Sequence, residues 1–136
     1  MESDSSAAPV SKAALWTGRI ISAIVALFLL MAGIMDLVQP PFVMEGMVKY
    51  GYPVGSVMGI GLALLAGVVL YVIPRTSVLG AIVLTGYLGG AVSTHVRAGD
   101  PVARMLVPVV FGILTWGGLY LRDHRLRTHL PVRSPR

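Results

Sequence analysis

The chain alternates between long apolar runs and short polar breaks. Four apolar runs predict helices at about residues 15–37, 54–73, 76–96 and 103–121. A helix needs about 20 residues to cross the hydrocarbon core, where only helices and closed barrels satisfy their backbone hydrogen bonds. Because the runs do not alternate with a period of two, a barrel is disfavoured. The pattern predicts an all-α integral membrane protein with four spans.

Turn-forming residues separate these runs. Gln39-Pro40-Pro41 ends the first run, because proline lacks an amide donor and restrains the residue before it. Gly51-Tyr52-Pro53, Pro74-Arg75-Thr76 and residues 97–101 mark the later breaks. Mostly short connections predict antiparallel neighbours in an up-down-up-down four-helix bundle. Within the first connection, residues 42–50 are either a short helix in the membrane interface or a loop packed on the bundle.

The overall composition agrees with a membrane environment. Hydrophobic residues make up 55% of the 136 residues and charged residues only 12%, against about 25% charged residues in a typical soluble protein. The chain contains no cysteine, which excludes a disulfide scaffold and thiol chemistry. Its net charge of +5 raises the question of which partner the basic residues meet.

The distribution of basic residues predicts the orientation. Four spans place both termini on one side, with eight Lys and Arg residues there and three on the other. The eight are Lys12, Arg19, Arg75, Arg122, Arg125, Arg127, Arg133 and Arg136, and the three are Lys49, Arg97 and Arg104. The positive-inside rule then places both termini in the cytoplasm and the protein in the cytoplasmic membrane.

Three regions follow from this organisation. Residues 1–12 are predicted to be a disordered tail, residues 13–122 the transmembrane domain, and residues 123–136 a basic cytoplasmic tail. That basic tail is expected to face anionic lipid headgroups. Nucleic-acid binding is not expected, because the tail lacks aromatic stacking residues and a recognisable binding fold.

Small residues recur at a spacing of four within the spans. The pairs are Gly55 and Gly59, Ala63 and Gly67, and Gly86 and Gly90. Such pairs let helix backbones approach closely in a membrane. We expect them to pack the four helices internally, and the alternative is that one pair forms a homodimer face. Trp16, Tyr71, Trp116 and Tyr120 lie near span ends, where aromatic side chains act as interfacial anchors.

The third span carries the candidate site. Tyr87, Ala91, Thr94 and His95 fall on one helical face, which is expected to point into the bundle. This face could hold the polar head of an apolar ligand such as a quinone, with His95 donating to a carbonyl. Asp36, Glu45 and Arg97 are expected at the same end of the bundle and complete the candidate ligand-binding set.

A structural role for His95 is the alternative. The ring would then bond a loop backbone or pair with Asp36 or Glu45. A metal site is not expected, because His124 and His129 lie on the C-terminal tail, across the membrane from His95.

Three stretches resemble the DoxX-like family of small four-helix integral membrane proteins. They are the first loop at residues 43–53, ending in Gly-Tyr-Pro, the second helix and tight turn at 66–76, and the stretch at 90–101 with its His and Gly-Asp. The resemblance covers about residues 15–121. Two positions depart from it: Leu64 stands where many members carry a Glu, and Asp36 where many carry a Lys.

The resemblance implies a role beside membrane redox complexes, because the family takes its name from subunits of a thiosulfate:quinone oxidoreductase. We therefore expect a non-catalytic subunit or a quinone- or lipid-binding module, with a redox protein as partner. Two alternatives stay open. One is a stand-alone quinone-linked oxidoreductase with His95 as acid/base beside Asp36 or Glu45. The other is a small dimeric transporter that uses Asp36.

Overall fold

The computed structural model of the chain describes residues 10–129, which form helices joined by short turns. The helices are α1 Lys12–Val38, α2 Pro41–Lys49, α3 Ser56–Val72, α4 Ser77–Ala98, α5 Val102–Arg122 and α6 His124–His129. No strand occurs in this part of the chain, so the all-α prediction is confirmed. Residues 1–9 and 130–136 of the predicted tails lie outside the described residues.

Helix α1 has clear sequence signals at both ends. The Ser11 hydroxyl accepts a hydrogen bond from the Ala14 amide at 3.2 Å, an N-cap interaction. At the other end, Gln39 adopts a left-handed conformation with φ 54°, and Pro40 follows it. The helix that follows, α2, shows that the first connection is helical over nine residues. Its position in a membrane interface stays a prediction.

Three of the helices within residues 10–129 are long and apolar enough to cross a membrane, namely α1, α4 and α5. Their outward surfaces carry large apolar side chains, such as Leu27 and Ile113, each 66% exposed. Large exposed apolar surfaces are costly in water and are expected where lipid surrounds the protein. Helix α3 is apolar but has only 17 residues, near the lower limit of a span.

The four long helices, α1, α3, α4 and α5, contact one another in a ring. Helix α1 contacts α3 and α5, and α4 contacts the same two helices from the other side. We call the end that holds α2 and the α4–α5 turn the loop end, and the opposite end the terminal end. The core between the helices includes Leu29, Leu64, Leu84 and Leu119, which are almost completely buried.

Glycines form the closest helix contacts, but mostly at positions other than those expected. A Cβ atom on Gly80 of α4 would overlap the backbone of Tyr71 in α3. A Cβ atom on Gly18 of α1 would lie 2.8 Å from the Gly118 carbonyl oxygen of α5. Of the predicted pairs, Gly67 does pack internally, against Val83 and Leu84.

The prediction of internal packing is wrong for the other two glycine pairs. A Cβ atom added to Gly55, Gly59, Gly86 or Gly90 would have no atom of a neighbouring helix within 4 Å among the described residues. The homodimer alternative for these faces stays a prediction.

Tyr71 is also not an interfacial anchor. Its side chain is fully buried, and its hydroxyl donates to the Thr115 carbonyl oxygen at 2.8 Å. Because the phenol has one proton, the Ser22 hydroxyl at 3.1 Å must donate to the Tyr71 oxygen. The Ser22 and Tyr71 side chains and the Thr115 backbone carbonyl thus link α1, α3 and α5.

Candidate functional site

The turn after α4 places a carboxylate beside His95, in the last turn of that helix. Gly99 adopts a left-handed conformation with φ 71°, its amide donates to the Val96 carbonyl oxygen, and the Asp100 amide donates to the His95 carbonyl oxygen, both at 3.1 Å. This is a Schellman turn, which reverses the chain beside the last helical turn. As a result, the Asp100 Oδ2 atom lies 2.7 Å from His95 Nδ1.

Helix α2 also ends in a Schellman turn. Gly51 has φ 85°, its amide donates to the Val48 carbonyl oxygen at 2.9 Å, and the Tyr52 amide donates to the Met47 carbonyl oxygen at 3.0 Å. The two tyrosines at this turn reach α4 and the turn after it. The Tyr50 hydroxyl donates to Asp100 Oδ2 at 2.8 Å.

Tyr52 bonds the last polar residue of the predicted stripe. Its hydroxyl is hydrogen-bonded to the Thr94 hydroxyl, which itself donates to the Gly90 carbonyl oxygen at 2.9 Å. Thr94 has one hydroxyl proton, so Tyr52 must be the donor. The two Schellman turns thus hold both tyrosines against the end of α4.

The electrostatics of this cluster favour an ionised Asp100. Hydrogen bonds from His95 and then from Tyr50 lower the pKa of the Asp100 carboxyl, and Arg104 Nη1 lies 3.5 Å from its Oδ1 atom. The hydrogen bond between Tyr50 and Asp100 raises the pKa of the Tyr50 hydroxyl. The Tyr50 ring also packs edge-on against His95, with centroids 5.4 Å apart.

An ionised Asp100 sets the role of the second nitrogen of His95. The carboxylate accepts a hydrogen bond from Nδ1–H, so Nε2 of the neutral ring carries a lone pair and accepts. When the ring is protonated, Nε2 becomes a donor. Nε2 has no hydrogen-bond partner among residues 10–129.

His95 lines a pocket of about 310 Å³ at the loop end, which we call the His95 pocket. Its polar lining comes from Tyr50, Tyr52, Tyr87, Thr94 and His95. Its remaining lining residues are Met47, Ile60, Gly90 and Ala91. The volume is at the lower end of the range for small-molecule sites, and an apolar lining with a few convergent polar groups is typical of them.

The structure brings together three of the six predicted site residues. Tyr87, Thr94 and His95 all line the His95 pocket. Asp36 is buried, 8% exposed, and lies close enough to Tyr87 for electrostatic interaction. The carboxylate beside His95 is Asp100, rather than the Asp36 or Glu45 suggested by the sequence.

The last two predicted residues lie outside the pocket. Arg97 donates to the Tyr50 carbonyl oxygen at 3.1 Å and so supports the α2 turn. Glu45 is exposed on α2 and makes no polar contact within the described residues. The ligand contacts proposed for both residues stay predictions.

Sequence reasoning missed Asp100, Tyr50 and Tyr52 as site residues. A signal was present, since Gly51-Tyr52-Pro53 and Gly99-Asp100-Pro101 share a Gly-x-Pro pattern after a helix. Glycine at that position favours the left-handed turn, and proline commonly follows it. In both cases the middle residue carries a polar group that the turn places in the site.

Two further features bear on the chemistry of this region. Within residues 10–129, no group of three or more His, Cys, Asp or Glu side chains could hold a metal ion. Leu64, where the resemblance suggested a family Glu, is fully buried in the apolar core.

An all-helical fold with three candidate spans and an apolar outer surface defines this chain as a membrane protein. A sequence model described as the DoxX-like family matches residues 20–118, so the chain belongs to the DoxX-like family. Comparisons with curated proteins and with solved structures gave no significant match.

Proposed function

We propose that the protein is a membrane module that binds the polar head of an apolar ligand, a quinone or a lipid, in the His95 pocket. One observation carries this proposal. Asp100 Oδ2 lies 2.7 Å from Nδ1 of His95, and His95 lines a pocket between apolar helices. A fixed imidazole beside apolar walls suits a ligand with one polar end.

The polar groups of the pocket suggest how a quinone headgroup is held. Neutral His95 would accept a hydrogen bond at Nε2 from the hydroxyl of a quinol, and protonated His95 would donate to a quinone carbonyl. The Tyr87 hydroxyl, which has no hydrogen-bond partner among residues 10–129, supplies a second polar contact.

The module is proposed to act as a non-catalytic subunit with a redox protein as partner. Support comes from the DoxX-like family and from the small number of reactive groups around the pocket. A ligand-binding subunit needs groups that orient its ligand, and the two turns orient His95 and Tyr52 at this pocket.

Equilibrium binding of a short-chain quinone and its quinol to detergent-purified protein tests the proposal. His95→Gln should weaken binding about tenfold, the equivalent of losing a hydrogen bond of about 1.5 kcal/mol. His129→Gln, at the opposite end, is the matched control and should bind like the wild type. Equal affinities for wild type and His95→Gln would contradict the assigned pocket.

The oxidoreductase alternative draws on the same pair of residues. Asp100 orients His95 in the way that a carboxylate orients a catalytic base, which favours proton transfer at Nε2. Quinone reduction by the purified protein without a partner would support this alternative, and no turnover would exclude it.

The transporter alternative depends on Asp36. This residue is buried near the loop end of α1, and its carboxyl makes no hydrogen bond among the described residues. Proton-coupled uptake into liposomes that is lost in Asp36→Asn would favour transport, whereas uptake that survives the change would exclude this mechanism.

The proposed topology places α1, α3, α4 and α5 across the cytoplasmic membrane in an up-down-up-down bundle with both termini inside. The inequality of eight to three basic residues supports this orientation. Because the chain has no cysteine, single cysteines report accessibility without background. Glu45→Cys should react with an impermeant thiol reagent in intact cells, and Thr128→Cys only after lysis.

A further inference from the structure

A second cavity opens at the terminal end, on the far side of the protein from the His95 pocket. It has a volume of about 560 Å³ and lies among the start of α1, the α3–α4 turn and the end of α5. Four arginines line it: Arg19, Arg75, Arg122 and Arg125. We call this cavity the arginine pocket.

The positive charge of the arginine pocket is poorly compensated. Within residues 10–129, none of the four guanidinium groups lies within salt-bridge distance of a carboxylate. One carboxylate, Asp123, also lines the pocket, but its Oδ1 atom accepts the Arg125 backbone amide at 2.9 Å. The cavity therefore concentrates cationic groups that have no anionic partner in the described part of the chain.

Arg122 is fixed in place by its neighbours. Its Nη2 atom donates to the Tyr71 carbonyl oxygen at 2.8 Å, and its guanidinium lies 4.8 Å from the centroid of the Tyr71 ring. Its Nε atom is buried and has no hydrogen-bond partner within residues 10–129. The Arg19 guanidinium lies over the Trp16 ring, 5.5 Å from its centroid. Arg19, Arg75 and Arg125 are all exposed.

The pocket also has an apolar side. Leu15, Leu119 and Pro74 contribute to its lining, and Leu119 is almost completely buried. Ile73 and Val78, which flank the α3–α4 turn, expose 44% and 38% of their surfaces. A ligand in this pocket would meet guanidinium groups and apolar surface together.

We propose that the arginine pocket binds a phosphate group, carried by an anionic membrane lipid. Guanidinium groups match the geometry of phosphate oxygens and bind them through paired hydrogen bonds. Basic pockets between membrane helices are suited to lipid headgroups, and the apolar lining accommodates the start of an acyl chain. This site is separate from the His95 pocket and does not depend on its ligand.

Native mass spectrometry of the full chain in detergent tests the proposal without a charged membrane surface. Phosphatidylglycerol, phosphatidylcholine and inorganic phosphate are titrated in parallel. We expect one phosphatidylglycerol to bind at least tenfold more tightly than phosphatidylcholine. Saturable binding of inorganic phosphate with equal affinity, blocking the lipid, would support the phosphate site and assign a soluble source.

Variants connect the binding to the pocket. Arg75→Gln should weaken phosphatidylglycerol binding about tenfold, as expected for loss of a charged hydrogen bond. Lys12→Gln is the matched control, because it removes the same charge at the same end but does not line the pocket, and it should have less than a threefold effect. Arg75→Lys should recover only part of the affinity, because lysine cannot bind phosphate through a planar fork.

Arg75 makes no polar contact within the described residues, so its loss should leave the unfolding midpoint unchanged. Equal phosphatidylglycerol affinity in wild type and Arg75→Gln would overturn the proposal. So would equal losses in Arg75→Gln and Lys12→Gln, which would indicate a diffuse surface charge.

Discussion

At the scale of single residues, His95 has a fixed orientation because the turn after α4 places the Asp100 carboxylate against its ring. Asp100 Oδ2 accepts hydrogen bonds from both His95 and Tyr50. These two bonds join α4, its terminal turn and the α2 turn through one carboxylate. Removing that carboxylate should therefore affect stability as well as ligand binding.

Asp100→Asn should make unfolding less sensitive to acid. Hydrogen bonds from His95 and Tyr50 lower the folded pKa of Asp100 below its ordinary value of 3.8. Ionised Asp100 therefore stabilises the folded state fully above that pH, and the stabilisation is lost as pH falls through the lower folded pKa. The difference between the unfolding midpoints of wild type and variant in detergent should therefore shrink as the pH falls below 3.8. Parallel curves from pH 6 downwards would show that the carboxylate contributes nothing.

The candidate site was only partly predictable from the sequence. The helical spacing of Tyr87, Thr94 and His95 was sufficient to place them together, because a period of 3.6 residues fixes a common face. The partner of His95 depended on a left-handed glycine turn, which brings Asp100 back across five positions. A helical face pattern contains no information about residues beyond the helix end.

At the scale of elements, the helices approach each other through a few glycines. The contact of Gly80 with the Tyr71 backbone involves atoms that cannot move independently of α3. Gly86, six residues further along the same helix, faces open space. These two positions separate the effect of close packing from the effect of glycine on helix propensity.

Gly80→Ala should lower the free energy of unfolding by about 2 kcal/mol, because the added methyl group forces α3 and α4 apart. Gly86→Ala is the control and should leave stability unchanged or raise it by up to about 1 kcal/mol, since alanine favours helix over glycine. Chemical unfolding in detergent, followed by tryptophan fluorescence, measures both. Similar losses in both variants would be inconsistent with the α3–α4 contact.

Helix positions were predictable to within a few residues, but helix contacts were not. Apolar runs and proline breaks correspond closely to α3, α4 and α5. By contrast, the glycine pairs Gly55–Gly59 and Gly86–Gly90 have the spacing of a contact face but lie outward. In a chain that is apolar on every side, hydrophobic periodicity does not indicate which face meets a neighbouring helix.

At the scale of the whole molecule, apolar side chains cover the outside as well as the core. Leu62 on α3 is 55% exposed near the middle of the helix. Val54, just before α3, is 58% exposed near the loop end. If α3 crosses the bilayer, only the first of these positions lies deep in lipid.

Leu62→Arg should therefore impair membrane insertion by about 2.5–3.5 kcal/mol, whereas Val54→Arg should be tolerated. Both substitutions avoid the core, so packing does not account for the difference. The yield of each variant in the membrane fraction, relative to total expression, is the measurement. Equal membrane yields would show that α3 does not cross the bilayer.

The most direct measurement of the proposed function is mass spectrometry of the small molecules that co-purify with the protein from its native membrane in mild detergent. We predict a quinone or a specific lipid that is present in wild type and in His129→Ala and is lost in His95→Ala. An anionic phospholipid retained in His95→Ala is expected from the arginine pocket. Any other ligand retained in His95→Ala, or no such ligand in any of the three samples, would contradict ligand binding through His95.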